Sequence, residues 1–158
     1  MQNWPLLSLL IWLPILGGVA VLGFGEKRAQ AARWVALAIA LAVFLISLSL
    51  FTGFDYAATG LQFGERRAWI PAYDIQYHLG ADGISVALII LTTLTTALVL
   101  VGAWTAIDRR VSQYYASMLI LEGLMIGVFS AVDALLFYVF FEAMLIPMFI
   151  IIGVWGGP

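Results

Sequence analysis

The chain has 158 residues, of which 64% are hydrophobic and 10% charged, and its formal net charge is −2. Ordinary soluble domains carry about 25% charged residues, so this composition excludes a soluble globular fold. The absence of cysteine and the single histidine, His78, exclude a thiolate-bound iron–sulfur cluster and a bis-histidine haem in this chain.

Five apolar runs, each near the roughly 20 residues a helix needs to cross about 30 Å of hydrocarbon, predict an all-α, polytopic membrane protein. The first helix is read over 6–24, with Pro5 at its start, where a missing N–H costs little. Met1, Gln2 and Asn3 carry no basic side chain and the run is interrupted by Pro14, so it reads as a mature helix rather than a secretory signal. Gly25 to Gln30 form a short basic turn. The second helix, 34–51, is rich in alanine, and Ala36 and Ala40 stand at the small-xxx-small spacing that lets membrane helices approach closely.

The external loop, 52–83, is the one long polar segment. Within it Tyr73, Ile75, Tyr77 and Leu79 alternate with Asp74, Gln76 and His78, a period of two that argues a half-buried strand. With Gly64, Glu65, Arg66 and Arg67 as a turn, Leu61 to Phe63 supply the other arm of a short surface β-hairpin between helices 2 and 3. The remaining helices are read over 84–107, 114–132 and 134–155, with Asp133 in a tight connection. Short loops make these three neighbours.

Gly156, Gly157 and Pro158 read as the opening of a loop, so the chain is expected to be the N-terminal part of one longer membrane domain. Lys27, Arg28, Arg33, Arg109 and Arg110 flank one side, against Arg66 and Arg67 on the other. The positive-inside rule then puts the N-terminus and the long loop outside and residue 158 on the cytoplasmic or matrix side. Trp4, Trp34, Trp104 and Trp155 lie near helix ends, as an interfacial belt requires.

With the other charges in loops, two carboxylates stay inside the membrane: Glu122 and Glu142. An ionised acid at mid-membrane costs about 2.5–3.5 kcal/mol on insertion scales, so it must be compensated or protonated. Glu122 adjoins Gly123 and Gly127, a GxxxG pair, which favours a packing role and makes it a secondary proton site at most. Glu142 is followed by Pro147, which cannot donate to the carbonyl of Ala143; the helix break this predicts beside an ionisable group is what membrane ion sites use. Thr92, Thr93, Thr95 and Thr96 fit hydroxyls bonded back to their own helix. His78 falls on the polar side of the surface strand with no metal-ligand spacing around it. No phosphate loop, nucleophile triad or nucleic-acid patch is present.

The stretches Trp69-Ile70-Pro71, Tyr77-His78-Leu79-Gly80-Ala81-Asp82-Gly83-Ile84-Ser85, Phe140-Phe141-Glu142-Ala143-Met144-Leu145-Ile146-Pro147-Met148 and Gly153-Val154-Trp155-Gly156-Gly157 resemble the subunit M (chain 4) family of respiratory complex I, NADH:quinone oxidoreductase, one of the antiporter-like membrane subunits. The resemblance covers nearly the whole chain. It implies two inverted five-helix repeats in a 14-helix protein, of which this chain supplies the first three helices and two helices of the first repeat. It also implies that Glu142 matches the fifth-helix glutamate of the proton channel, paired with a lysine on a later helix. Lys27, the one lysine here, lies in a loop and cannot be that partner.

The expected function is therefore proton translocation through buried carboxylates, coupled to quinone reduction elsewhere in the complex. The expected partners are other membrane subunits and the lipid bilayer of a bacterial or mitochondrial inner membrane. NADH, FMN, iron–sulfur clusters and quinone belong to other subunits on this reading, with no cofactor in this chain. The alternative is a subunit of a multisubunit cation/proton antiporter, which shares the helix scaffold and the glutamate. The stretch from Trp69 to Ser85 favours the first reading.

Overall fold

The computed structural model describes residues 6–53, 62–70, 75–107 and 110–155. Within these lie five helices and two strands: α1 (Leu6–Leu22), α2 (Ala29–Gly53), β1 (Gln62–Ile70), β2 (Ile75–Ala81), α3 (Gly83–Ala106), α4 (Val111–Ser130) and α5 (Ala134–Trp155), with a 3-10 turn at Glu26–Arg28 between α1 and α2. By length and composition, α2 to α5 are long and apolar enough to cross a membrane; α1, at 17 residues, is a shorter apolar helix.

The helix starts are set by local chemistry. Asp82 precedes α3 in an extended conformation and its side chain accepts from the Ser85 N–H at 2.8 Å, satisfying one of the donors a helix leaves open at its N-terminus. Asp133 does the same for α5, its Oδ1 accepting from Leu135 N–H at 2.9 Å. Arg110 takes a left-handed conformation (φ 50°) before α4, which turns the chain sharply from α3 into α4. The helix expected from residue 34 begins at Ala29 instead, because Ala29 to Ala32 are good helix formers and continue directly from the 3-10 turn.

Helix α4 is the hub. It packs on α1, α2, α3 and α5, and glycines permit the closest approaches: a Cβ on Gly123 would meet the carbonyl oxygen of Ile11 and, at 2.5 Å, Cγ1 of Ile15, while one on Gly127 would meet the Phe140 ring at 2.7 Å. The GxxxG pair is thus a packing device, facing α1 and α5. Ala36 and Ala40 are fully buried in α2.

Two apolar clusters divide the bundle along its length. One, near the strands, includes Leu7, Leu10, Ile11, Val43, Leu50, Leu79, Ile89, Ile126 and Phe140. The other includes Val21, Ala32, Ala36, Ala40, Leu100, Val111, Tyr115 and Leu119. Near the second cluster Arg33 caps the bundle, donating from Nη2 to the Ile107 carbonyl at 2.9 Å, and Trp34 meets Trp104 edge-on at 4.9 Å, as Tyr114 meets Trp155 at 5.1 Å.

Strands β1 and β2 pair antiparallel, with Glu65 opposite Leu79, Arg66 opposite His78 and Arg67 opposite Tyr77. This corrects one expectation: Gly64 to Arg67 are not a turn but lie inside β1, which runs on to Ile70. Gly64 and its polar neighbours carry no apolar period that marks a strand, and pairing with β2, through a register shift between Gln62 and Glu65, decides it. Leu61, Pro71, Tyr73 and Asp74, like Trp4, Pro5, Arg109, Gly156, Gly157 and Pro158, lie outside the described residues.

The strands are tied to the bundle. Glu65 accepts from the Ser8 N–H at 3.0 Å and from the Ser8 hydroxyl, placing a carboxylate on the first turn of α1, where the helix dipole favours negative charge. Tyr77 shares a 2.8 Å hydrogen bond with Ser8 and accepts from Trp12 Nε1 at 3.0 Å; burial pushes its phenol pKa up, which keeps it neutral. On the other side Val132 N–H donates to the His78 carbonyl at 2.9 Å. The start of α1, the strands and the α4-to-α5 connection therefore share one end of the bundle. The basic 3-10 turn with Lys27 and Arg28, Arg33 and Arg110 share the other.

Candidate functional site

Eight residues separate Glu122 from the end of α4, and eight separate the start of α5 from Glu142. At 1.5 Å per residue each carboxyl sits about 12 Å from the strand-bearing end. Because α4 and α5 are antiparallel neighbours, the two acids lie at the same depth, between the apolar clusters.

Their surroundings differ completely. Glu122 is 1% exposed, and neither of its carboxyl oxygens meets a hydrogen-bond partner among the described residues. It lines a cavity of about 270 Å³ between α3 and α4, whose other polar walls are Thr92, Thr95 and Thr96. Thr92, Thr93 and Thr96 bond back to their own helix as their sequence suggests: Thr92 Oγ1 donates to Leu88 O at 2.8 Å and Thr96 Oγ1 to Thr92 O at 2.9 Å. Thr93 bonds back to Ile90 O at 2.8 Å and also shares a buried 2.9 Å hydrogen bond with Ser47, joining α3 to α2.

Glu142 is exposed on the surface of these five helices. Leu136, Phe140 and Pro147 form the buried face of α5, and Glu142, two residues past Phe140, is rotated about 200° from it. Phe140 is fixed against Gly127 and Trp12, the ring centroids of Trp12 and Phe140 being 6.4 Å apart. Glu142 consequently points away from the five-helix bundle, into an open apolar depression with Ala143, Leu145, Ile146, Phe149 and Ile150. The predicted interruption at Pro147 is also corrected: α5 continues through it from Ala134 to Trp155. A proline removes one N–H, and the surrounding turns of an apolar helix absorb that loss without ending it.

Among the described residues no group of three His, Cys, Asp or Glu is placed to hold a metal ion. His78 sits in β2, half-buried at the strand-bearing end. Lys27 lies on the 3-10 turn at the opposite end. Sequence reasoning missed the union of Glu122 with the α3 threonines; the signal available was the coincidence of a threonine-rich helix with an acid on the next one. It also missed Glu65 as the anchor of β1 on α1, since an acid in a polar loop carries no local mark of a distant helix terminus.

No family model matches the chain. It is 50% identical over 162 residues to NADH-quinone oxidoreductase subunit M of Rhodobacter capsulatus, covering 99% of this chain and 30% of that protein. It is 44% identical to NADH-ubiquinone oxidoreductase chain 4 of Arabidopsis thaliana, over 96% of this chain and 30% of that one. A chain in the structure of respiratory complex I from Thermus thermophilus with bound NADH matches with a TM-score of 0.79 and 29% identity, over 96% of this chain and 30% of its own length. The chain thus spans about 30% of the length of the relatives it matches.

Proposed function

We propose that this chain, a homologue of the subunit M and chain 4 proteins of NADH:quinone oxidoreductases, forms part of a proton-translocating membrane subunit of such a complex in an energy-transducing membrane. On this reading all five helices cross the bilayer. The strand-bearing end faces outside, the basic end faces the cytoplasm or matrix, and the chain is the N-terminal part of one longer membrane domain.

The observation that carries the proposal is the placement of Glu142: an ionisable group near mid-depth, on a helix face this chain leaves open. A carboxylate facing hydrocarbon is costly, so in the working protein that face meets other protein, and a cation brought there governs its charge. An opposite charge within about 4–6 Å favours the carboxylate, and its departure lets desolvation favour the acid. Glu142 then takes up and releases a proton as quinone reduction in other subunits moves that cation. Pro147, one turn further on the same helix, leaves the Ala143 carbonyl without its N–H partner and so supplies a polar neighbour. NADH, FMN, iron–sulfur clusters and quinone act in other subunits; this chain does no redox chemistry and needs no cofactor of its own.

The rival is a multisubunit cation/proton antiporter, which would use the same glutamate without redox partners. The two separate on purification of the tagged full-length protein in mild detergent. Recovery with subunits that oxidise NADH and reduce quinone is the expected result. Recovery of a stable assembly with no NADH-oxidising activity would favour the antiporter.

A further inference from the structure

We propose that Tyr77 is a positioning residue for Glu142: through Trp12 and Phe140 it fixes the rotation of α5 about its own axis. The inference rests on the reading of Glu142 as the proton carrier and adds the group that aims it.

Its basis is a hydrogen-bond chain whose direction follows atom by atom. The Trp12 indole can only donate, and an ionised Glu65 carboxyl can only accept. Ser8 gives its hydroxyl proton to Glu65, so in the 2.8 Å contact between Ser8 Oγ and Tyr77 the phenol is the donor. The phenol oxygen in turn accepts from Trp12 Nε1 at 3.0 Å. Every proton points from Trp12 through Tyr77 and Ser8 to the carboxylate, and hydrogen bonds aligned onto a charge strengthen one another. Because the far end is an indole that accepts no proton, the chain holds its members in place and conducts nothing.

Trp12 is the member that needs holding. Its side chain is 42% exposed, so packing alone does not select its rotamer. The bond to Tyr77 selects the one that sets its ring 6.4 Å from Phe140, tilted by 55°, within the range of about 4.5–7 Å that favours aromatic pairs. Phe140 is 4% exposed and lies against Gly127 of α4. The residues after Tyr77 hold the entry to the same helix: the His78 carbonyl accepts from Val132 N–H at 2.9 Å, and Leu79 bridges to Ala131, just before Asp133 caps α5. Three consecutive residues of β2 thus grip α5 at two points, the chain entering it and, through Trp12, a ring about 9 Å further along. A hold at the start sets the depth of a helix, whereas a hold off the axis sets its rotation.

That rotation governs Glu142. Its carboxyl stands about 6 Å from the helix axis, so a turn of about 10° displaces it by about 1 Å. No other titratable side chain lines its depression among the described residues, so its charge depends on the cation that the rest of the protein brings to this face. Moving such a cation from about 4 Å to about 5 Å weakens its attraction by about a fifth, which raises the protonation midpoint by about half a pH unit.

The test is infrared difference spectroscopy on the assembled full-length enzyme in membranes, titrated with pH. The carboxyl C=O band that Glu142→Gln removes reports Glu142 alone. Tyr77→Phe, which deletes only the hydroxyl, should raise the midpoint of that band by about half a pH unit, and Trp12→Phe, which deletes the indole donor, should do the same. Both break one bond, so the double variant should shift no further than the larger single. A midpoint unchanged or lowered in both assembled variants would overturn the positioning role while leaving Glu142 as the carrier. Shifts that add in the double variant would overturn it too, since they would mark two unrelated disturbances. If no band is lost in Glu142→Gln, the carrier reading fails and the positioning role with it. If Tyr77→Phe does not assemble, Trp12→Phe decides by the same midpoint.

Discussion

The approach of α4 to α1 makes a signed prediction about glycine. Replacing glycine by alanine inside a helix ordinarily stabilises by about 0.5–1 kcal/mol, because the unfolded chain loses freedom. At Gly102 on α3 a Cβ meets nothing within 4 Å, so Gly102→Ala should be neutral or slightly stabilising. At Gly123 the Cβ would meet the Ile11 carbonyl oxygen and Ile15 Cγ1 at 2.5 Å. A backbone carbonyl cannot rotate aside, so α1 must move out, and overpacking of this kind costs about 1–3 kcal/mol. The net effect of Gly123→Ala is therefore a loss of about 1–2 kcal/mol. Gly127→Ala, which meets the Phe140 ring at 2.7 Å, should fall between, since a ring can shift. The assay is the heat resistance of the assembled enzyme in detergent, followed as loss of intact complex on native gels. Equal resistance of Gly123→Ala and Gly102→Ala would refute the packing of α4 on α1 described here.

Three further outcomes follow from named contacts. Asp82→Ala should loosen the start of α3 by about 1 kcal/mol, seen as faster amide exchange at Ile84 to Val86. The Ser85 N–H and hydroxyl hold the Asp82 carboxyl below its ordinary range. This cap therefore contributes fully above the unfolded value near 3.9 and is lost as pH falls through the lower folded value; protection of the α3 amides, corrected for the intrinsic pH dependence of exchange, that does not fall in acid would count against it. Glu65→Ala removes the acceptor on the first turn of α1, and protease cleavage between the strands should accelerate, more than in Tyr77→Phe, which leaves Glu65 in place. For topology, single cysteines at Gly64 and Gln30 should react with a membrane-impermeant reagent from opposite faces, Gly64 from outside; labelling of both from one face would end the proposed orientation.

What the sequence made legible, and what it did not, divides along physical lines. Five helices could be read because apolar runs bounded by charges are a one-dimensional signal, and α5 runs from Ala134 to Trp155 as its apolar stretch suggests. The GxxxG spacing announced close packing, and Gly123 and Gly127 provide it. Helix orientation could not be read. A membrane helix such as α5 is apolar on all sides, so nothing local says that Phe140 turns inward and Glu142 outward; contacts with Gly127 and Trp12 decide that. The glycine neighbours of Glu122 marked it for a packing role, but nothing local announced the α3 threonines that line the same cavity. Strand β1 was cut short because Gly64 to Arg67 are also turn formers, and only pairing with β2 distinguishes the two.

The central claim is that Glu142 works by binding and releasing a proton, and replacing its carboxyl with a group of like shape that does not titrate tests it most directly. Proton pumping and NADH-driven quinone reduction should be measured in membranes carrying the assembled full-length Glu142→Gln enzyme, with complex content checked independently. The account predicts a normal amount of complex with sharply reduced pumping and coupled quinone reduction, and a smaller effect for Glu122→Gln. Full pumping at full turnover in assembled Glu142→Gln enzyme would contradict it and leave α5 a structural helix.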